Sequence, residues 1–161
     1  KGITLTALSL VLLSCTQTQQ EHTNKEEDIN AIKSAITDYD EGWDAKNIEK
    51  VLAGYSEGID WTNAFGDRVQ GKTELRKLLE TIFSLDFVMS GKNNYQDPDI
   101  SFLASNIALA RSSNIRTGQK WPDGRPMKDR VINHLRVFEY IDGKWLCVNH
   151  MISQAHDKQG K

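Results

Sequence analysis

The apolar residues of this 161-residue chain change their spacing along its length. From Asp99 onward the segments alternate as strands do. Before that point the apolar residues recur every three or four positions, as on one face of a helix, in two clear runs: Ile29, Ile32, Ile36, Tyr39 and Trp43, then Leu75, Leu78, Leu79, Ile82 and Phe83. Helices followed by strands predict an α+β domain, with helices packed on one face of an antiparallel sheet. A curved sheet covered in this way leaves a pocket between the two layers.

Turn signals divide the chain further. Asn47 can cap a second short helix, and residues 90–98 are polar and predicted as a loop. Asp142-Gly143 indicates a tight hairpin. Strands are predicted over residues 59–65, 99–103, 107–117, 130–141 and 144–153.

The N-terminus has the order of an export signal. Lys1 precedes an apolar run over residues 2–14 that is too short for a permanent membrane span. Leu12-Leu13-Ser14-Cys15 resembles the lipobox of bacterial lipoproteins, which implies cleavage before Cys15 and lipidation of that cysteine. An ordinary signal peptide with a chance cysteine is the alternative.

This interpretation divides the chain into four parts. Residues 1–14 would be a signal peptide, 15–25 the lipidated cysteine and a polar tether, 26–156 the folded domain and 157–161 a tail. We therefore predict a lipid-anchored protein of the bacterial cell envelope, in the periplasm or on the cell surface.

Composition excludes several classes of function. Twenty basic residues stand against 22 acidic ones, for a net charge of -2, so no nucleic-acid partner is expected. The four histidines show no metal-binding spacing, and neither a Gly-rich phosphate loop nor a nucleophile elbow appears. No metal and no cofactor is predicted, and Cys147 is expected to be a small core residue.

Several short segments, in this order and spacing, resemble the NTF2-like superfamily, which includes the ketosteroid-isomerase-like and SnoaL-like proteins. They are Ala45-Lys46-Asn47-Ile48-Glu49, Tyr55, Asn63-Ala64-Phe65-Gly66, Gly71-Lys72-Thr73-Glu74-Leu75 and Asp142-Gly143-Lys144-Trp145. The stretch from Ile59 to Gly66 also resembles the SgcJ/EcaC and DUF4440 branches. The resemblance implies a cone-shaped, cystatin-like fold with helices over a curved sheet, and a homodimer formed through the outer sheet face.

The same resemblance implies candidate catalytic positions. Tyr39 falls where the isomerases have a tyrosine that hydrogen-bonds a developing enolate, and Asn63 falls where they have an aspartate base. An amide cannot accept a proton at neutral pH, so true isomerase activity is disfavoured. The second donor position falls on His134 or Leu135, depending on the point from which residues are counted.

Further residues are candidates for ligand binding. Trp43, Tyr55, Trp61 and Phe65 are expected either in the pocket or in the core. Asn149, with Met151 and Ser153, occupies the place of the His-x-His-x-Ser pattern of related SnoaL-like proteins, and alternation would turn His150 to the other face. Asp60 would act as a base only if a bulge reoriented it.

Three functions remain open at this point. The first is a cup that binds a small amphipathic ligand at the cell envelope. The second is a SnoaL-like enzyme acting on a carbonyl compound, in which Tyr39, Asn63 and His134 would polarise an oxygen, with His134 as the proton carrier. The third is a homodimeric interaction module.

Overall fold

The computed structural model describes residues 25–155. The predicted signal peptide, Cys15, most of the tether and the tail lie outside the described residues. Four helices form: α1 (Lys25–Asp44), α2 (Ile48–Ala53), α3 (Lys72–Ser84) and α4 (Asp86–Met89). As predicted, Asn47 caps α2, because its side-chain oxygen accepts a hydrogen bond of 3.1 Å from the Lys50 amide. No helix in residues 25–155 is long and apolar enough to cross a membrane.

Seven strands form one sheet: β1 (Tyr55–Thr62), β2 (Arg68–Gln70), β3 (Lys92–Tyr95), β4 (Asp99–Ala104), β5 (Ile107–Thr117), β6 (Arg130–Ile141) and β7 (Lys144–Gln154). Their order is β2-β1-β7-β6-β5-β3, and β4 also pairs with β5. The pairs are antiparallel except β1 with β7, which is parallel, so the sheet is mixed and the antiparallel prediction was wrong for this pair. The chain reaches β7 only after traversing the rest of the domain, and such a long connection permits parallel pairing.

Two short strands were missed in the sequence. The segment 90–98 contains β3, which pairs with β5 through polar residues, and β2 pairs with the end of β1. Both strands are short and lack apolar alternation, so periodicity gives no signal for them.

The core lies between the helices and one face of the sheet, called here the inner face. On β6 this face carries Ile132, His134, Arg136 and Phe138, which are all buried. Ile32, Ile36 and Tyr39 of α1 and Leu75 and Leu79 of α3 belong to the same buried cluster. Cys147 is 1 % exposed and lies in this core, as predicted.

Candidate ligand-binding site

A cavity of about 550 Å³ opens between the helices and the inner face of the sheet. That volume is within the usual range for small-molecule sites. Its walls combine residues of α1, β1, α3, α4, β3, β5, β6 and β7 with the loop between β5 and β6. Phe65, 78 % exposed, and Trp121, 49 % exposed, also line it and are its most solvent-exposed aromatic residues.

The structure brings six of the predicted site residues to this cavity: Tyr39, Trp43, Trp61, Asn63, Phe65 and His134. Tyr55 and His150 are buried behind it, where His150 contacts His134 and Tyr55 contacts His150. Asn149 does not line the cavity. Of the two alternatives for the second donor position, His134 faces inward, whereas Leu135 is half-buried on the opposite face.

A row of hydrogen bonds, called here the polar chain, leads away from His134 in both directions. On one side, His134 Nδ1 is 2.9 Å from His150 Nε2, and His150 Nδ1 is 2.6 Å from the Tyr55 hydroxyl. On the other side, His134 Nε2 is 3.2 Å from Asn114 Oδ1, and the Asn114 amide donates to Asn93 Oδ1 at 2.7 Å. Asn93 in turn donates to a carboxylate oxygen of Asp44.

The carboxylate end fixes the direction of the whole polar chain. The Asp44 side chain accepts from both Asn93 Nδ2 and the Tyr95 hydroxyl, so Asn93 presents its NH₂ to Asp44 and its oxygen to Asn114. Asn114 must then offer its oxygen to His134, so the single proton of neutral His134 sits on Nε2. By the same logic His150 is protonated on Nε2, and the Tyr55 hydroxyl donates to His150 Nδ1.

Both histidines are held neutral by their surroundings. Burial, reinforced by the nearby positive charge of Arg136, lowers the pKa of His134 to about 3. The pKa of His150 is also lowered well below its usual value by burial and the same arginine. Each ring therefore offers one donor and one acceptor, and the polar chain uses both.

Asn63 does not lie inside a strand as predicted, because β1 ends at Thr62. Its side-chain oxygen accepts from the amides of Phe65 at 2.9 Å and Asp67 at 3.0 Å, and its NH₂ donates to the Asp67 carboxylate at 2.9 Å. An asparagine that bonds to its own turn is common. The side chain therefore touches the cavity while its hydrogen-bonding groups are engaged in the turn.

A bulge in β7 overturns the predicted orientation of its polar residues. Val137 pairs with Asn149 whereas Phe138 pairs with Cys147, so Val148 is an extra residue in β7. Trp145 and Cys147 face inward before the bulge, and His150 and Ile152 face inward after it. The resemblance had implied a functional role for position 151. Met151 is instead 51 % exposed and lies on the outer face of the sheet, opposite the inner face.

Asp60 does not line the cavity. It pairs with Arg68 across β1 and β2, and the hydrogen bonds from this arginine lower the pKa of the Asp60 carboxyl. No bulge turns the Asp60 side chain toward the cavity, which was the condition under which it was predicted to act as a base.

One aromatic donor, the Tyr39 hydroxyl, retains hydrogen-bonding capacity in the cavity wall. Burial raises the pKa of this phenol, which therefore keeps its proton and can donate to a ligand oxygen. The indole Nε1 of Trp61 is fully buried and makes no hydrogen bond of good geometry among the described residues, but it lies against the Tyr39 and Tyr55 hydroxyls rather than open to a ligand.

Two arginines in the cavity wall were missed in the sequence. Arg116 of β5 is 5 % exposed, and Arg130 is half-buried at the start of β6. Period-two alternation through Ala108, Ala110 and Asn114 places Arg116 on the inner face, which was the available signal. A buried arginine on a strand is rare enough to mark a candidate position.

A metal site is not found in residues 25–155, where no three His, Cys, Asp or Glu side chains are grouped as metal ligands. Of the possible metal ligands in the cavity lining, His134 has both nitrogens engaged in hydrogen bonds and Asp67 lies at the exposed rim.

Solved structures share this fold. An uncharacterised protein of Caulobacter vibrioides with a cystatin-like fold is 20 % identical, with a TM-score of 0.68, and the match covers 81 % of this chain and 92 % of that one. A ketosteroid isomerase-like protein of Erwinia carotovora atroseptica is 16 % identical, with a TM-score of 0.69 and coverage of 81 % and 98 %. An NTF2-like protein of Novosphingobium aromaticivorans is 14 % identical, with a TM-score of 0.64 and coverage of 83 % and 85 %.

The fold is thus the cystatin-like fold of NTF2-like proteins, and the fold prediction is confirmed. No protein-family model and no curated protein sequence matches the chain.

Proposed function

We propose that this protein is a lipid-anchored binding protein of the bacterial cell envelope, whose cavity holds a small amphipathic molecule without transforming it. The observation that carries the proposal is that the candidate catalytic groups His134 and Asn63 already use their polar atoms in hydrogen bonds within the protein. Both nitrogens of His134 are engaged in the polar chain, and the Asn63 amide is engaged in its turn. The inner wall of the cavity therefore provides apolar contacts and hydrogen-bond donors, and the one carboxylate in its lining, Asp67, lies at the exposed rim and accepts from the Asn63 amide.

The test of binding is to look for a retained molecule. Native mass spectrometry and solvent extraction of the gently purified full chain should show a bound small molecule. Ala64→Trp places a large side chain in the cavity wall and should abolish retention, whereas Ala45→Trp, at an exposed position outside the cavity, should preserve it. Equal retention by both variants would contradict the proposal.

A second candidate is an enzyme of the SnoaL-like class that acts on a carbonyl compound. It is favoured by the protonated Tyr39 hydroxyl in the cavity wall, because such a donor can stabilise an oxygen that becomes negative during a reaction. Tyr39 and His134 both line the cavity, and their rings pack edge to face with centroids 6.3 Å apart. Turnover of β,γ-unsaturated ketones that Tyr39→Phe reduces at least tenfold, with the fold intact, would favour this candidate over simple binding.

The membrane anchor rests on the lipobox-like sequence. Cys15→Ser should abolish incorporation of a labelled fatty acid in a bacterial host and release the protein from the membrane fraction. Cys147→Ala is the matched control, because that cysteine is buried in the core and should not affect labelling. Labelling that persists in the Cys15 variant would refute the anchor.

A further inference from the structure

Apart from the Asp67 carboxylate at the exposed rim, the side chains of the cavity wall whose polar atoms have no partner are donors. The side-chain oxygens of Asn93, Asn114 and Gln119 already accept hydrogen bonds, and so does that of Gln154. Tyr39, Arg116 and Arg130 have donor groups left over. A ligand that satisfies this wall must bring acceptors.

Two of these donors carry full positive charges. The guanidinium of Arg116 donates twice to one carbonyl oxygen, that of Ser90, from Nε at 3.2 Å and Nη2 at 2.9 Å. Arg130 donates from Nε to Gln154 and from Nη1 to Gln119, each at 2.8 Å. These neutral partners orient the two guanidinium groups and leave Arg116 Nη1 and Arg130 Nη2 without a partner in the described chain.

Neither arginine forms an ion pair within residues 25–155. Most of the ion pairs found there join basic and acidic side chains at the surface. Burial, with a smaller contribution from Arg130, lowers the pKa of Arg116, and the nearby Asp44 carboxylate offsets only part of this. Arg130 lies over the ring of Phe65, 5.8 Å from its centroid. Keeping two cations without an ion-pair partner in a partly apolar cavity costs free energy, and an anion that enters with the ligand offsets that cost. Arginine forks match the planar geometry of a carboxylate.

The rest of the wall is apolar. Trp43, Ile82, Phe87, Val88 and Met127 line the same cavity and would contact the body of the ligand. The cavity thus has a cationic part for a head group and an apolar part for a hydrocarbon or aromatic body.

We infer that the ligand is an apolar or aromatic monocarboxylate, with its carboxylate bound by Arg116 and Arg130 and its body among the aromatic side chains. This assignment rests on the proposed binding function and adds the chemical class of the ligand.

The test compares ligands with one body and different head groups. Isothermal titration calorimetry on the full chain would use 2-naphthylacetate, 2-naphthylacetamide, 2-naphthyl phosphate and 2-naphthaleneethanol. The carboxylate should bind at least about tenfold more tightly than the amide or the alcohol, as a charge-assisted pair of hydrogen bonds implies. Equal affinity for carboxylate and amide, or a preference for the phosphate, would overturn the inference and leave the binding function in place.

Variants then assign the preference to the two arginines. Arg130→Gln and Arg116→Gln should each reduce carboxylate affinity about tenfold or more while changing amide affinity little. Arg116→Lys keeps the charge in case Arg116→Gln loosens the contact with Ser90, and it should keep part of the preference. Arg111→Gln, exposed on the other face of the same strand, is the control and should bind as the wild type does.

A preference that survives both glutamine variants would overturn the assignment to these arginines. If none of the four probes binds and purified protein retains no molecule in native mass spectrometry, the proposed function itself fails. If the probes do not bind and the retained molecule is uncharged, only the carboxylate inference fails.

Discussion

At the scale of single residues, the polar chain makes the protein sensitive to acid. Between about pH 3 and pH 6.5 the unfolded chain protonates His134 while the folded chain does not, so the unfolded state binds more protons. The free energy of unfolding therefore falls with falling pH, by about 1.4 kcal/mol per pH unit for each such histidine. Burial raises the pKa of Asp40 to about 7, which gives one opposing contribution, since the folded state then holds the extra proton.

His150→Gln isolates one of these contributions. Glutamine can still accept from Tyr55 and donate to His134, so at neutral pH we expect a loss of only about 1 kcal/mol. Below pH 6.5 the slope of stability against pH should be smaller than in the wild type by about 1.4 kcal/mol per unit. Urea denaturation over a pH series measures this difference.

His150→Phe is the contrasting variant. It leaves the Tyr55 hydroxyl and His134 Nδ1 unsatisfied, and it should lose about 2–3 kcal/mol at neutral pH. An unchanged pH slope in both variants would contradict the neutral, buried state of His150.

The hydrogen bonds of the Asn63 side chain stabilise the turn after β1. Because its amide makes three hydrogen bonds within the turn, Asn63→Ala should lower the free energy of unfolding by about 1–2 kcal/mol and leave ligand retention intact. Asn106→Ala, in the β4–β5 turn, is the control, since that side chain forms no hydrogen bond among the described residues, and it should be nearly neutral. Loss of ligand binding without loss of stability would instead indicate that Asn63 contacts the ligand.

At the scale of elements, the approach of α1 and α2 depends on a glycine. A Cβ at Gly42 would lie 2.8 Å from the Val51 amide nitrogen and 3.1 Å from the Asn47 carbonyl oxygen. These are backbone atoms, so the helices would have to move apart to accommodate it. The close contact therefore sets the position of α1, which carries Tyr39 and Trp43 into the cavity.

Gly42→Ala should accordingly destabilise the domain by about 1–3 kcal/mol, despite the higher helix propensity of alanine. Gly58→Ala in β1 is the matched control, because a Cβ at that position would have nothing within 4 Å of it, and the substitution should cost nothing measurable. Thermal unfolding measures the stability of the two variants. A stabilised Gly42→Ala variant would show that the helices separate freely.

At the scale of the whole molecule, the outer face of the sheet carries exposed apolar residues. Ile115 and Val131 pair across β5 and β6 and are 38 % and 41 % exposed, and Met151 on β7 is 51 % exposed. Such residues on one sheet face are typical of an interaction surface. We propose that this face forms a homodimer, as the family resemblance implies.

Light scattering of the wild type should therefore give twice the chain mass. The double variant Val131→Lys/Met151→Lys should be monomeric, with unchanged circular dichroism, because both side chains point away from the core. A strictly monomeric wild type at micromolar concentrations would refute the dimer.

Much of the fold could be predicted from the sequence because its signals are local. Apolar periodicity identified α1 and α3, the cap at Asn47 identified α2, and Asp142-Gly143 marked the β6–β7 hairpin. Each of these patterns depends on residues within a few positions of one another. The order of helices and strands then indicated the α+β class and, with the short resembling segments, the NTF2-like fold.

Only the tertiary structure decided which polar side chains share the cavity. The bulge at Val148 turns His150 inward, and the parallel pairing of β1 with β7 brings Tyr55 to it. Arg116 and Arg130 come from separate strands and meet through pairing in the sheet. These outcomes depend on register between distant segments, where a shift of one residue exchanges the two faces of a strand, and local sequence patterns do not contain that information.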